Sequence, residues 1–448
     1  MGNRENSSGK NRFFLILGLL IIFGLISMYF LFAEQQPPQV SFAPEKEFIT
    51  PDTKFDFRSL DKESGLDFLS IHLVQGDKEI EMLKKDFDKK VEETREELGL
   101  QEYRLKDGSL DIKIKVRDNS WSNWFKGNAV VKTFNYTLDT EPPRITLKSY
   151  KHNLEVGGSG LVAFNVTEPV KKVGVQANGY FFPAYRPPES DMYLCFFSYP
   201  FEFVGRDANL LIKAVDKAGN LRKTGFNYFV NRRNFRKSNI RISSDFLHRK
   251  MPGFQDNFPA TSDKLELFLK VNKELRAKNR KKLLSVGGKT VKNPLWSGSF
   301  LRLPNSAKRS SFGTYRTYLH QGQKIDSQRH LGIDLASVKG AKIPAANSGK
   351  VSYTGWLGIL GQVVIIDHGL GLQSMYAHLS RIKVQEQDKV DKGEIIGNTG
   401  STGLAGGDHL HFAILVSGVP VSPVQWWDKA WIENNIKPTL NLLENNKK

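Results

Sequence analysis

Alternation of apolar and polar positions dominates the chain. Leu110, Ile112, Ile114 and Val116 alternate with polar residues, the period-two pattern of a half-buried strand. Asp118, with the turn residues Asn119 and Ser120, ends that strand. A second stretch has the same form, Leu210 to Val215 followed by Asp216-Lys217-Ala218-Gly219-Asn220. Between the two, Asp139-Thr140-Glu141-Pro142-Pro143 forms a rigid boundary, and a new strand is predicted from Arg144 to Leu147. Three stretches break the strand pattern. Phe13 to Ala33 is 21 residues without a charge. Ile80, Leu83, Phe87 and Val91 stand at helical spacing and predict a helix inserted over 78–98. Leu265, Leu269, Val271 and Leu275 predict another around 262–283.

The uncharged run is long enough to cross a bilayer core, which needs about 20 apolar residues, and exceeds the apolar stretch of a cleaved signal. Arg4, Lys10 and Arg12 precede it against Glu5 alone; after it, no Lys or Arg occurs until Lys46. The positive-inside rule then predicts a cytoplasmic tail at 1–12, a transmembrane helix at 13–33 and the rest outside. A long signal peptide cut near Ala33 would export residues 35–448 equally.

Composition narrows the chemistry. The 448 residues exceed one ordinary core and predict two to four domains. One cysteine, Cys195, excludes an internal disulfide framework, a Cys-based zinc finger and an iron–sulfur cluster. Any metal is therefore held by His, Asp or Glu. Cys195 lies among Tyr193, Leu194, Phe196 and Phe197 and is expected to be a core thiol. The net charge of +18 suggests a polyanionic neighbour; export argues against nucleic acid and for lipid or cell wall. Residues 232–293 hold 17 Lys and Arg against 5 acids, a local excess of 12. They read as a basic helical linker, either solvated or attracted to an acidic polymer.

Candidate chemistry clusters at the C-terminal end. Six of the nine histidines, His320, His330, His368, His378, His409 and His411, fall between 320 and 411. His409-Leu410-His411 on a strand puts both imidazoles on one face, because side chains alternate. Glycines at 400, 403, 406 and 407 suggest a loop shaped for close approach. A catalytic zinc wants three protein ligands and an open position. His330, Asp334 and one of the His409/His411 pair would supply them, leaving the other and His378 for proton transfer and oxyanion stabilisation. No H-E-x-x-H or G-x-S-x-G motif occurs.

Two resemblances follow. The strand–Asp–turn edges, 98 positions apart, and the Pro-Pro boundary resemble tandem bacterial immunoglobulin-like modules, 37–141 and 142–231. Residues from about 294 to 432, within a domain expected over 294–440, resemble the lysostaphin-type (M23, LytM-like) zinc metallopeptidases. The matching residues are Phe312-Gly313 with Arg316, His330…Asp334, Pro344-Ala345 before Gly349-Lys350-Val351, Tyr376-Ala377-His378-Leu379, Lys392-Gly393…Ile396-Gly397 and His409-Leu410-His411-Phe412. The resemblance implies an antiparallel β-fold with a groove, Zn2+ on His330, Asp334 and His411, and catalytic roles for His378 and His409. Arg316 and Tyr376 are the expected substrate-binding side chains. One departure is Asp408, where the family usually has proline; an acid beside His409 could raise its pKa.

The chain is thus expected to be mainly β: a transmembrane helix, two immunoglobulin-like modules, the basic linker and a C-terminal peptidase domain. The expected function is zinc-dependent cleavage of peptide cross-links in peptidoglycan, outside an inner membrane that one helix spans. The alternatives are a non-catalytic relative that binds wall peptides or activates another hydrolase, and a protease of secreted proteins. The sequence does not identify a regulatory partner. His72, His152, His248, His320 and His368 are expected to be structural or on the surface. Trp426, Trp427 and Trp431 are expected to be packing residues.

Overall fold

In the computed structural model, residues 7–203 and 208–445 are described. The tail charges Arg4 and Glu5 lie outside the described residues. Strands dominate, and the chain forms two compact units, one chiefly of residues up to Pro142 and one from Pro143 onward.

The first unit opens with the helix Ser7–Phe32, whose stretch Arg12–Leu31 is long and apolar enough to cross a membrane. Two sheets follow, one of five strands and one of three. Strand Gly108–Asp118 buries Leu110, Ile112, Ile114 and Val116 as the alternation predicts. They face Phe55 and Phe57 of strand Lys54–Leu60 across one core.

The helix expected over 78–98 is absent. Strand Lys78–Val91 pairs antiparallel with Leu66–Gln75, and strand Glu93–Gly99 pairs with Lys54–Leu60. Bulges explain the misleading spacing. Ile71 faces Leu83 while His72 faces Glu81, so one extra residue is inserted there. Apolar residues three and four apart then serve one sheet, and a period of two turns into an apparent helical period.

In the second unit, residues from Ile145 to Gly225 form a three-stranded and a four-stranded sheet. Cys195 is fully buried, and burial pushes its thiol up to about 12. This β module shares one hydrophobic core with the C-terminal domain. Trp426 is completely buried there, donating its indole N–H to Ser159 at 3.1 Å and packing on Trp296 and Phe300. The three C-terminal tryptophans are therefore packing residues. Trp427 stacks on Phe412, and Trp431 packs on Trp426.

The basic segment is not a solvated tether. Strand Lys237–Arg241 pairs with Tyr315–His320. Helices Ser244–Lys250 and Lys264–Lys270 follow, capped by the Ser243 and Asp263 side chains. A π-turn at Val271–Leu275 leads into helix Arg276–Gly287. Leu247, Met251, Leu267, Phe268, Val271 and Leu275 bury an apolar face with Tyr318 and Ile359. Most of the cationic side chains stay at the surface, although Arg276 is half-buried, which explains how a strongly basic stretch still folds onto its neighbour.

The C-terminal domain is built on an eight-stranded sheet. Its centre runs Ile333–Ala336, Leu410–Val416, Leu372–Leu379, Gln362–Asp367, Gly349–Trp356, all antiparallel. Hydrophobic residues fill both faces of the central strands, so side chains at the strand ends are held rigidly.

Candidate active site

Three neighbouring strands bring the sequence-selected side chains together. Asp334 pairs with His411, and His411 pairs with Ala377, next to His378. His330 Nε2, Asp334 Oδ1 and His411 Nδ1 form a triangle with edges of 2.9, 2.9 and 3.0 Å. Ligand atoms about 2.0 Å from a tetrahedral ion are about 3.3 Å apart, so the triangle is close to a three-ligand face. Of the two alternatives for the third member, His411 and not His409 stands in it. His409 Nε2 lies 3.6 Å from Asp334 Oδ1.

The surroundings set the protonation state of each donor. His330 Nδ1 is 3.1 Å from the Ser311 carbonyl, which takes its proton and leaves a lone pair on Nε2. Burial pushes His330 down to about 4, against the pull of Asp334. Burial also works against the Asp334 charge, but the imidazoles around it, His330 foremost, hold its carboxyl well below the usual range. Arg316 donates to Asp334 Oδ2 at 2.6 Å and to Ser310 at 2.8 Å. Neutral imidazole lone pairs and an ionised carboxylate oxygen aimed at one point are the donor set that a zinc ion takes.

Two more imidazoles flank the triangle. His378 donates Nδ1–H to the Thr402 carbonyl at 2.8 Å, and its ring lies 4.9 Å from that of His409. Burial, with His409 and His411 nearby, holds its pKa well below the usual value. Its φ of 66° is a strained conformation for a non-glycine residue, fixed by the surrounding sheet. His409 donates Nδ1–H to the Gly407 carbonyl at 2.9 Å. Burial disfavours its charge, but Asp334 outweighs burial and raises its pKa.

That shift does not come from Asp408. The Asp408 carboxylate is turned away, accepting from Thr399 at 2.6 Å and from the Gly340 N–H at 3.2 Å, where it anchors a loop. Tyr376 also departs from expectation. Alternation sends it to the face opposite His411, where it is 1% exposed and packs on Phe412. Its hydroxyl accepts from the Ala346 N–H at 2.6 Å, and burial pushes it up to about 12. It is a core residue and does not reach the cleft. Arg316 does line the cleft.

Among the histidines set aside, His368 is completely buried between the Ser348 carbonyl and the Ser374 hydroxyl, both at 2.8 Å. His320 hydrogen-bonds the Ile242 carbonyl at 2.8 Å. Both are structural.

The five residues open onto a cavity of about 360 Å³. Its far wall is the basic segment: Phe246, Phe268, Arg276, Asn279, Arg280 and Leu283. The sequence reading missed these wall residues, although the buried spacing of Leu267, Phe268, Val271 and Leu275 is a legible sign of a packed helix. Asn279 also accepts from the Ile359 N–H at 3.0 Å, which fixes the helix to the loop opposite.

Residues 328–423 match the family model described as Peptidase family M23. The C-terminal domain is an M23 peptidase domain. Over 95 residues the chain is 42% identical to the DD-carboxypeptidase/endopeptidase Mpg of Neisseria meningitidis, which is 21% of this chain and 22% of that protein. Over 96 residues it is 36% identical to the peptidoglycan DD-endopeptidase ShyA of Vibrio cholerae, again 21% and 22%. The solved catalytic domain of lysostaphin from Staphylococcus simulans is 30% identical, with 29% of this chain and 98% of that one covered and a TM-score of 0.26. The chain thus spans about a fifth of the length of the curated relatives Mpg and ShyA. The M23 match begins after the helical wall, so the wall lies outside the matched residues.

Proposed function

We propose that this chain is a zinc-dependent endopeptidase that hydrolyses peptide cross-links of peptidoglycan, held at the inner membrane by its N-terminal helix. The observation that carries the reading is the convergence of His330 Nε2, Asp334 Oδ1 and His411 Nδ1 within 3.0 Å of one another, flanked by two further imidazoles. The names of Mpg, a DD-carboxypeptidase/endopeptidase, and ShyA, a peptidoglycan DD-endopeptidase, support peptide-bond hydrolysis in the wall. The apolar stretch Arg12–Leu31 supports membrane attachment. We also assign the domain limits as 37–141 and 142–231 for the two β modules, 232–293 for the basic segment and 294–440 for the peptidase domain.

His330, Asp334 and His411 would hold the zinc. When bound, it supplies Lewis acidity and a water whose pKa is lowered to about 7. Arg316 orients Asp334 through Oδ2, leaving Oδ1 for the metal. His378 and His409 each donate Nδ1–H to a backbone carbonyl, so Nε2 is the atom left for proton exchange or for donation to a developing oxyanion.

The test is metal content together with muropeptide products from the purified full-length chain. The expected result is one zinc per chain and conversion of cross-linked dimers to monomers. His411→Ala should remove both. Retention of one zinc by that variant would overturn the ligand set, and zinc without cleavage of any dimer would leave a binding protein instead.

A further inference from the structure

The first unit holds a separate convergence of anionic oxygens. Glu34 lies just past the apolar helix Ser7–Phe32, Asp61 directly after strand Lys54–Leu60, and Asp118 at the end of strand Gly108–Asp118. Ligand oxygens from all three lie within 4.8 Å of one another. Asp61 and Asp118 are only 5% and 1% exposed.

Hydrogen bonds hold the group in place. Asp61 Oδ1 accepts from the Glu63 and Gly65 N–H groups at 3.1 and 2.9 Å. Asp118 Oδ1 accepts from those of Ser120 and Asn128 at 3.1 and 2.7 Å. The Asn128 side chain donates both to Asp118 Oδ2, at 2.9 Å, and to the Glu34 carbonyl, at 2.8 Å. Ser122 also donates to that carbonyl.

What the group lacks is positive charge. Among the described residues, the ion pairs of this unit, such as Lys54–Glu97, Arg58–Glu93 and Arg117–Asp67, leave Glu34, Asp61 and Asp118 without a cationic partner. Asp61 Oδ2 is buried without any hydrogen-bond partner. A buried charge without a partner is costly, by several kcal/mol per ion. Three carboxylates, two of them buried, with an unpartnered oxygen among them, call for a cation.

We propose that Glu34, Asp61 and Asp118 form a calcium site. All three donors are hard oxygens, with no ring nitrogen or sulfur among them. Calcium takes six to eight oxygens at about 2.3–2.6 Å in adaptable geometry, which suits a shell of carboxylates, a carbonyl and water. Magnesium needs about 2.0–2.1 Å and near-ideal octahedral geometry and gives up its water reluctantly, so it is less suited to oxygens that backbone hydrogen bonds already fix in place. The Glu34 carbonyl and water would complete the shell. The ion would tie the chain leaving the apolar helix to two strand ends, fixing the direction in which the module leaves the membrane.

A second strand end repeats part of the arrangement. Asp216 closes strand Leu210–Asp216; its Oδ1 accepts from the Gly219 and Asn220 N–H groups at 2.7 and 2.9 Å, and its Oδ2 is buried without a partner. The strand-end acid is therefore a recurring part of these modules.

The proposal does not depend on the peptidase reading. Its test is calcium chloride titrated by calorimetry into the full-length chain in detergent micelles, stripped with a chelator and reloaded with zinc. The Asp61→Asn/Asp118→Asn double variant and Glu34→Gln are titrated alongside, and differences cancel calcium bound elsewhere. Wild type should bind one calcium more per chain than the double variant, with a dissociation constant of about 10⁻⁴–10⁻³ M or tighter. Glu34 is half-exposed. Glu34→Gln should therefore fold normally and bind at least about tenfold more weakly, the loss of one charged ligand. If the double variant does not fold, Glu34→Gln decides. Superimposable isotherms for wild type and Glu34→Gln would overturn the site, and magnesium chloride binding as tightly as calcium would overturn the choice of ion.

Discussion

Gly332→Ala is the sharpest probe of the metal triangle, because it replaces no ligand and alters no charge. Gly332 sits between His330 and Asp334, and its backbone conformation is open to alanine. A Cβ there would stand 2.4 Å from His411 Nε2, 2.6 Å from His411 Cε1 and 2.8 Å from the Phe412 carbonyl oxygen. Ordinary van der Waals contact begins at 3.4 Å, so the imidazole must retreat by about 1 Å. The central strand cannot follow, since Leu410 to Val416 are all buried. The ring must therefore tilt, which carries Nδ1 out of the triangle. Disturbing the support of a metal-binding histidine costs about 10–100-fold in affinity, or about 1.4–2.8 kcal/mol. The assay is competition for zinc against a chromogenic chelator, with circular dichroism to check the fold. Gly406→Ala is the control: it lies in the cleft loop, but its Cβ would meet nothing within 4 Å. A folded Gly332→Ala protein that binds zinc as tightly as wild type would show that the His411 position is not what sets metal affinity.

His378→Ala and His409→Ala should each keep one zinc per chain and lose roughly 10²–10⁴ in turnover of a cross-linked muropeptide, the range for general acid–base and oxyanion groups. Unchanged turnover in either variant would move the proton-transfer role elsewhere. His368 gives a pH dependence. Burial lowers its folded pKa from 6.5 to about 4. The unfolded chain thus binds a proton that the folded chain refuses, and stability falls as pH drops from about 6.5 toward 4. The loss is roughly 3 kcal/mol at the acid end. His368→Gln should flatten that slope in urea midpoints taken from pH 7 to pH 4.5, although the variant is less stable at pH 7; an unchanged slope would refute the assignment. Changing Arg232, Arg233, Arg236, Lys237, Lys281 and Lys282 to Gln should weaken sedimentation with intact sacculi, most at low salt, while cleavage of a small soluble muropeptide stays close to wild type. Equal sacculus binding across a salt series would leave these charges without that role.

Where a local rule decided the geometry, the sequence was sufficient to read it. Alternation around Leu110 to Val116 predicts the burial seen, and His-x-His on a strand brings His409 and His411 to one cleft. Where two chain segments must meet, it was not. Lys78–Val91 looks helical because bulges against Leu66–Gln75 rewrite its period, and the partner strand is invisible in the local pattern. Tyr376 stands two residues from His378, yet it lies on the buried face. Asp408 has the right neighbour in sequence and the wrong orientation in space. The basic segment misled for a related reason: its charge is conspicuous, whereas its packing depends on an apolar face spread over three short helical pieces.

The far wall of the cleft has a consequence for how such a protein can change. The triangle and its flanking imidazoles lie between His330 and His411, while Phe246, Phe268, Arg276, Asn279, Arg280 and Leu283 come from an earlier stretch of chain. Reactivity and the shape of the entrance are therefore encoded separately. Substitutions along 244–287 can widen, narrow or recharge the cleft without disturbing a single donor atom. A fragment cut at the start of the M23 match would keep the donors of the triangle and lose the side of the cleft facing them. Under the proposed function, such a fragment would select among peptides differently from the full chain.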